Sequence, residues 1–144
     1  AFLQLRELQK SQNQDTGFDA YLHPKAQIAL GLELIDIANS AIDISDGLIQ
    51  DLNLICKSSD VGAKVHLSMI PTSVKDKTLE LINSGDDYQI CFTASEDKSI
   101  EINYISERLG VPITEIGKIT NTKELILLDH EGNKMDLGSG YSHF

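Results

Sequence analysis

Cysteine is scarce in this chain. Cys56 and Cys91 are the only two, and they form neither a CxxC pair nor a zinc-ligand spacing. Cys56 continues a helical apolar face and Cys91 sits in an apolar strand pattern. Both read as buried, reduced thiols in a cytosolic protein. Positive charge is scarce too: 12 Lys and Arg stand against 22 Asp and Glu, a formal net charge of −10. Such a chain has no electrostatic footprint for nucleic acid or anionic lipid. It repels phosphates unless metal ions or a partner domain intervene. No apolar run approaches the ~20 residues of a membrane span, so no membrane partner is expected. The opening AFLQLRELQK lacks an apolar core and a small-residue cleavage site, and does not read as a signal peptide. Familiar catalytic motifs are missing as well. There is no HExxH and no GxxxxGK[ST]. His23, His66, His130 and His143 show no metal-ligand spacing and no Ser-His-Asp order. The glycines at Gly138 and Gly140 make too short a run for a phosphate loop.

What is present is the pattern of one folded domain. A chain of 144 residues suits a single domain and buries roughly 70% of its unfolded surface. His23-Pro24 opens a helix, and Ile28, Leu32 and Ile35, with Ala29, recur on one side of it as a predicted core face. SAIDIS reads as a strand. From Asp46 the period changes: Leu48, Leu52 and Ile55 mark a helix that should end near Ser58 to Gly62. AKVHLS is a strand, SVKDKTLELINS a helix with Ser73 as N-cap, and DYQICFTAS a strand. EDKSIEINYISERLG is a helix with apolar Ile100, Tyr104 and Ile105 and a Gly110 stop. VPITEIGKIT reads as a strand near an edge because of Pro112. ELILLD-HEGN-KMDL reads as a hairpin. The alternation αβαβαβαβ followed by a hairpin predicts an α+β fold with α/β-like alternation, a mixed β-sheet packed with helices. Residues 1–22 read as a linker remnant and lead-in, and 23–144 as the domain.

Two acidic clusters fall at element ends. In DISDGLIQD, Asp43 closes a strand and Asp46 opens a helix. Alternate residues of an extended chain share a side, so Asp43 and Ser45 face together, and a turn at Asp46-Gly47 can bring a second carboxylate beside them. Mg²⁺ takes oxygen ligands, commonly one or two carboxylates plus phosphate oxygens and water. Free N–H groups at a helix start favour an anion alongside, and the Ser45 hydroxyl can donate to it. A second reading stands beside this one: Ser or Asp before a helix is the usual N-cap. Spacing alone leaves both open. Asp51, one turn into the helix, reads as part of a solvated face. In SGDDY, Asp86 and Asp87 lie between a helix end and a strand, where an Asp-rich turn is equally at home.

Several stretches together resemble the thiamine-monophosphate kinase family, within the aminoimidazole ribonucleotide synthetase-related superfamily. They are AIDISDGLIQDL, SSDVGAKV, SGDDYQICFT, GVPITEIGKIT and the closing GYSHF, with HPKAQIALGLEL as the entering helix. The resemblance covers about His23 to the last residue and lies in that family's C-terminal domain. The fold it implies is that of the superfamily's C-terminal domains. The activity it implies is transfer of phosphate from ATP to thiamine phosphate, with Mg²⁺ and without a protein nucleophile. Asp43 and Asp46 match the family's metal-binding aspartates, and Ser45 the serine that contacts ATP. Asp86 and Asp87 match the acidic pair near thiamine phosphate, and Tyr141 or Phe144 the aromatic contact at the substrate end. Ser84 and Gln89 depart from the usual Gly and Glu. The family's full chain is about twice as long. Its N-terminal domain supplies most of the nucleotide site, further metal aspartates and the homodimer contact, so this chain alone is expected to be inactive. The alternatives are an ATP-dependent ligase-type member of the superfamily and a non-catalytic ligand- or partner-binding domain.

Overall fold

The structure, a computed structural model, describes residues 27–72, 78–83 and 89–135. Their elements run α1 (Ile28–Glu33), β1 (Ala38–Asp43), α2 (Leu48–Ser58), β2 (Gly62–His66), α3 (Thr78–Leu81), β3 (Ile90–Ala94), α4 (Ser99–Leu109), β4 (Gly117–Thr120) and β5 (Leu125–Leu128). Single 3₁₀ turns, Leu67–Met69 and Glu96–Lys98, follow β2 and precede α4. No helix among the described residues is long and apolar enough to cross a membrane.

The longer helices end where their chemistry says they should. After α2, Asp60 takes a left-handed φ of 57°. Val61 N–H then reaches Cys56 O at 3.0 Å and Asp60 N–H reaches Lys57 O at 3.3 Å. Those two bonds satisfy the last carbonyls of the helix. Gly110 does the same for α4 at φ 63°, with Val111 N–H on Ser106 O at 3.2 Å.

The strands form an antiparallel pair and a mixed three-stranded sheet. β1 pairs with β3, setting Ile42 opposite Cys91 and Asp43 opposite Ile90. In the second sheet the order is β4-β2-β5, with β4 antiparallel and β5 parallel to β2. Alternation along β3 divides the interior. Cys91 joins a large cluster with Leu48, Leu52, Cys56, Val65 and Leu127. Ile90 and Phe92 join a smaller one with Leu30, Leu34 and Ile105 from α1 and α4.

Three expectations are corrected here. The face of α1 carrying Ile28, Leu32 and Ile35 is not core: these residues are 69%, 64% and 63% exposed, while Leu30 and Leu34 are 5% and 4% exposed. On α4 only Ile105 is buried, and Ile100 and Tyr104 face outward. The reason is that α1 and α4 pack edge to edge on the Ile90–Phe92 side, tied by an Arg108–Glu33 ion pair. Second, Val111 to Ile116 is not strand; only Gly117–Thr120 pairs, at the edge of its sheet among the described residues. Third, β5 is more than a hairpin arm: it also pairs parallel with β2. The hairpin itself is present in its described part, with an antiparallel bridge from Leu128 to Lys134, Met135 N–H on Leu127 O at 2.8 Å, and a turn in which Asp129 accepts the Glu131 and Asn133 N–H groups. Pro24 and Ser73 lie outside the described residues.

Candidate phosphate and metal site at the β1–α2 turn

Four residues, Ile44 to Gly47, connect β1 to α2. Ile44 is buried in the larger core cluster, so its neighbours Asp43 and Ser45 are sent to the opposite, solvent side, and both are exposed. Asp46 is exposed beside them. All three oxygen-bearing side chains are therefore open to solvent.

What holds them there differs from the expectation. Neither Ser45 nor Asp46 caps α2; its N-cap is Gly47, which offers no side chain. The capping group is Asp51. Its carboxylate oxygen Oδ2 accepts the N–H groups of Ser45 at 3.0 Å, Asp46 at 3.1 Å and Gly47 at 3.2 Å. The residue is 1% exposed, not part of a solvated face. This resembles a capping box reaching back over a longer stretch. It also means that these three N–H groups are already committed. An anion beside the turn would have to use the Ser45 hydroxyl rather than these amides. Its spacing with Leu48, Leu52 and Ile55, at i, i+3, i+4 and i+7, puts Asp51 on the buried stripe, but its charge argues for solvent until the three amides are known.

Gly47 adopts φ 133°, ψ 145°, a conformation open to glycine and rare for other residues. A Cβ there would stand 3.1 Å from Ile82 O and 3.2 Å from Asn83 C. On the other flank Ile44 N–H donates to Gln89 O at 2.8 Å. Asn83 and Gln89 are the described residues on either side of 84–88. The turn thus meets Ile82, Asn83 and Gln89. Asp86, Asp87, Tyr141 and Phe144 lie outside the described residues.

Cys91 lies close to this arrangement. Burial, then the Asp51 charge and then Cys56 push its thiol up to about 11. Burial also raises Cys56. Both thiols are buried and unbridged, as expected.

The donor set suits a hard divalent cation. Asp43 and Asp46 present carboxylates to solvent with no ion-pair or hydrogen-bond partner among the described residues. No cluster of three or more metal-ligating side chains occurs among the described residues. Two carboxylates suffice for Mg²⁺ when phosphate oxygens and waters complete its octahedron.

Comparison with known proteins gives the family. Residues 1–130 match the family AIR synthase related protein, C-terminal domain. The thiamine-monophosphate kinase of Escherichia coli O157:H7 is 39% identical over 133 residues, which cover 86% of this chain and 41% of that protein. The thiamine-monophosphate kinase of Salmonella typhimurium is 37% identical, covering 100% of this chain and 47% of that one. The chain therefore spans less than half the length of these relatives. Among solved structures, thiamine-monophosphate kinase from Stenotrophomonas maltophilia superposes with a TM-score of 0.78 at 31% identity, over 86% of this chain and 45% of that chain. AaThiL complexed with AMPPCP and TMP shares the fold with a TM-score of 0.69 at 23% identity, over 92% of this chain and 44% of that one.

Proposed function

The chain belongs to the AIR synthase related protein family, as its C-terminal domain, and from that membership we propose that it is the C-terminal half of an ATP- and Mg²⁺-dependent kinase that phosphorylates thiamine phosphate to thiamine diphosphate. The observation that carries this reading is the Asp43–Gly47 turn. It presents two carboxylates and a hydroxyl, without partners among the described residues, from a backbone fixed from beneath.

Phosphoryl transfer between polyanions rests on positioning and charge neutralisation rather than on a protein nucleophile. Asp43 and Asp46 would hold Mg²⁺, which would supply positive charge against the phosphates during transfer. Ser45 donates its hydroxyl proton to a phosphate oxygen of ATP. It does so from a backbone already locked, so little ordering accompanies binding. The substrate end falls to Asp86 and Asp87 and to Tyr141 or Phe144, because thiamine phosphate joins a cationic thiazolium to an aromatic pyrimidine. A carboxylate pair attracts the first, and an aromatic face suits both. The complex of AaThiL with AMPPCP and TMP supports these two ligand classes. The remaining phosphate and metal contacts belong to the protein's own N-terminal domain, in a homodimer in the cytosol.

Assay of the full-length protein with ATP, Mg²⁺ and thiamine phosphate tests the reading. Thiamine diphosphate is the expected product. Release of ADP without it, driven by an amide or ribonucleotide acceptor, would favour a ligase-type member. Binding of thiamine phosphate without any turnover would favour a non-catalytic domain.

A further inference from the structure

Asp51 has no solvent to stabilise its charge, and a buried carboxylate is costly unless it is well hydrogen-bonded. Here one oxygen collects three successive N–H groups. Successive inward-facing amides form a concave nest. Its geometric consequence is that the side chains of Ser45 and Asp46 project away from the nest, to the surface they share with Asp43. The same turn is wedged at Gly47 against the Ile82–Asn83 backbone and bonded through Ile44 to Gln89. One buried carboxylate thus sets the backbone that carries the candidate metal and phosphate groups. That backbone also meets Asn83 and Gln89.

We propose that Asp51 is a positioning residue for phosphoryl transfer: without touching metal or substrate, its three N–H bonds fix the Ser45–Gly47 turn so that Asp43, Ser45 and Asp46 present their oxygens together. The claim deepens the kinase reading and rests on it for the word transfer. The competing account is a plain helix cap, which stabilises α2 and has no effect on the ligand geometry.

The experiment uses the full-length protein and two probes, Mg²⁺ and the non-hydrolysable analogue AMPPCP. Asp51→Asn keeps the side-chain volume and one acceptor oxygen but removes the charge that gathers three donors. The expected result is a rise of about tenfold or more in the Mg²⁺ concentration for half-maximal AMPPCP binding, as for other residues that orient metal ligands. The kcat should fall by a similar factor while the KM for thiamine phosphate changes less than twofold. An Asp51→Asn protein with a lowered melting temperature but unchanged Mg²⁺ dependence and kcat would overturn the proposal in favour of a plain cap. If this variant does not fold, the wild-type protein decides by amide hydrogen exchange. The Ser45, Asp46 and Gly47 amides should stay protected, and their NMR shifts nearly constant, when Mg²⁺ and AMPPCP are added. Transfer of those amides from Asp51 to the nucleotide would overturn the proposal. A wild-type protein that makes no thiamine diphosphate removes the kinase reading alone, since the Mg²⁺–AMPPCP and amide measurements still judge the role of Asp51.

Discussion

At Asp43 and Asp46 the carboxylates are exposed and unpaired among the described residues, so they contribute little to folding. Asp43→Asn or Asp46→Asn in the full-length protein should therefore shift stability by no more than about 0.5 kcal/mol, the usual range for surface changes. The kcat for thiamine diphosphate should fall about 100-fold or more, since even outer-shell partners of a metal ligand are worth 10–100-fold. Paired denaturant melts and steady-state rates check this; normal turnover in both variants would exclude them as metal ligands. Ser45→Ala, which removes one hydroxyl donor, should have a milder effect. Cys91 gives a pH signature. Burial, with the Asp51 charge, pushes its thiol up from the ordinary 9.0 to about 11. Between these values the folded state holds more protons than the unfolded state. The stability is therefore complete below pH 9 and is lost as pH rises toward 11. The loss is on the order of 1–3 kcal/mol, at 1.36 kcal/mol per unit. Urea melts of wild type and Cys91→Ala over pH 8–10.5 should show a steeper decline in wild type, and parallel slopes would contradict the burial of this thiol.

On α1 the two faces of one short helix carry similar residues with opposite fates. Leu30 meets Ile105 and the Ile90–Phe92 side of β3, whereas Leu32 meets solvent. Leu30→Ala should cost about 2–4 kcal/mol, the range for emptying a packed leucine site. Leu32→Ala should cost about 0.5 kcal/mol or less in this chain. Urea denaturation of both variants distinguishes them, and equal losses would mean that α1 is packed the other way round. The sequence IALGLELI could not choose between these faces. Apolar residues stand at 28, 30, 32, 34 and 35, so the helical period finds a stripe on either side. On α2 the period was unambiguous and the helix, its stop and its buried stripe all follow from it. Only Asp51 was misplaced, because its charge argued for solvent and the three amides that compensate it belong to a turn four to six residues earlier. β5 shows the same limit. Its apolar run reads as a hairpin arm, which it is, but the strand on its other edge is β2, far back in the chain.

Over the whole molecule, a net charge of −10 opposes the approach of a phosphate-bearing ligand. On the proposed reading, the turn at Asp43–Gly47 would need cations from metal and from the proposed N-terminal domain. The chain by itself should form a folded domain without tightly held Mg²⁺, because Mg²⁺ dehydrates reluctantly and two carboxylates without nucleotide are a poor cage. Calorimetry on the isolated chain should detect no Mg²⁺ site at micromolar concentration, and thiamine diphosphate should form only with full-length protein. Metal-dependent turnover by the isolated chain near the rate of the full-length protein would refute the division of labour proposed above.

The sequence by itself determined the α+β class, the order of strands and helices along the described residues, the stops at Gly110 and near Asp60, and the exposed trio Asp43, Ser45 and Asp46. These depend on short-range rules: side-chain period, left-handed stops, and alternation around one buried isoleucine. Tertiary structure alone decided which face of α1 is covered, that β5 runs parallel to β2, and that Asp51 is buried. It also brought Asn83 and Gln89 against the same turn. Each of those outcomes depends on a partner supplied from elsewhere in the fold. A hydrophobic stripe is buried only where another apolar surface meets it. A charge can be buried only where enough donors converge, and here three amides of one tight turn do so on a single oxygen.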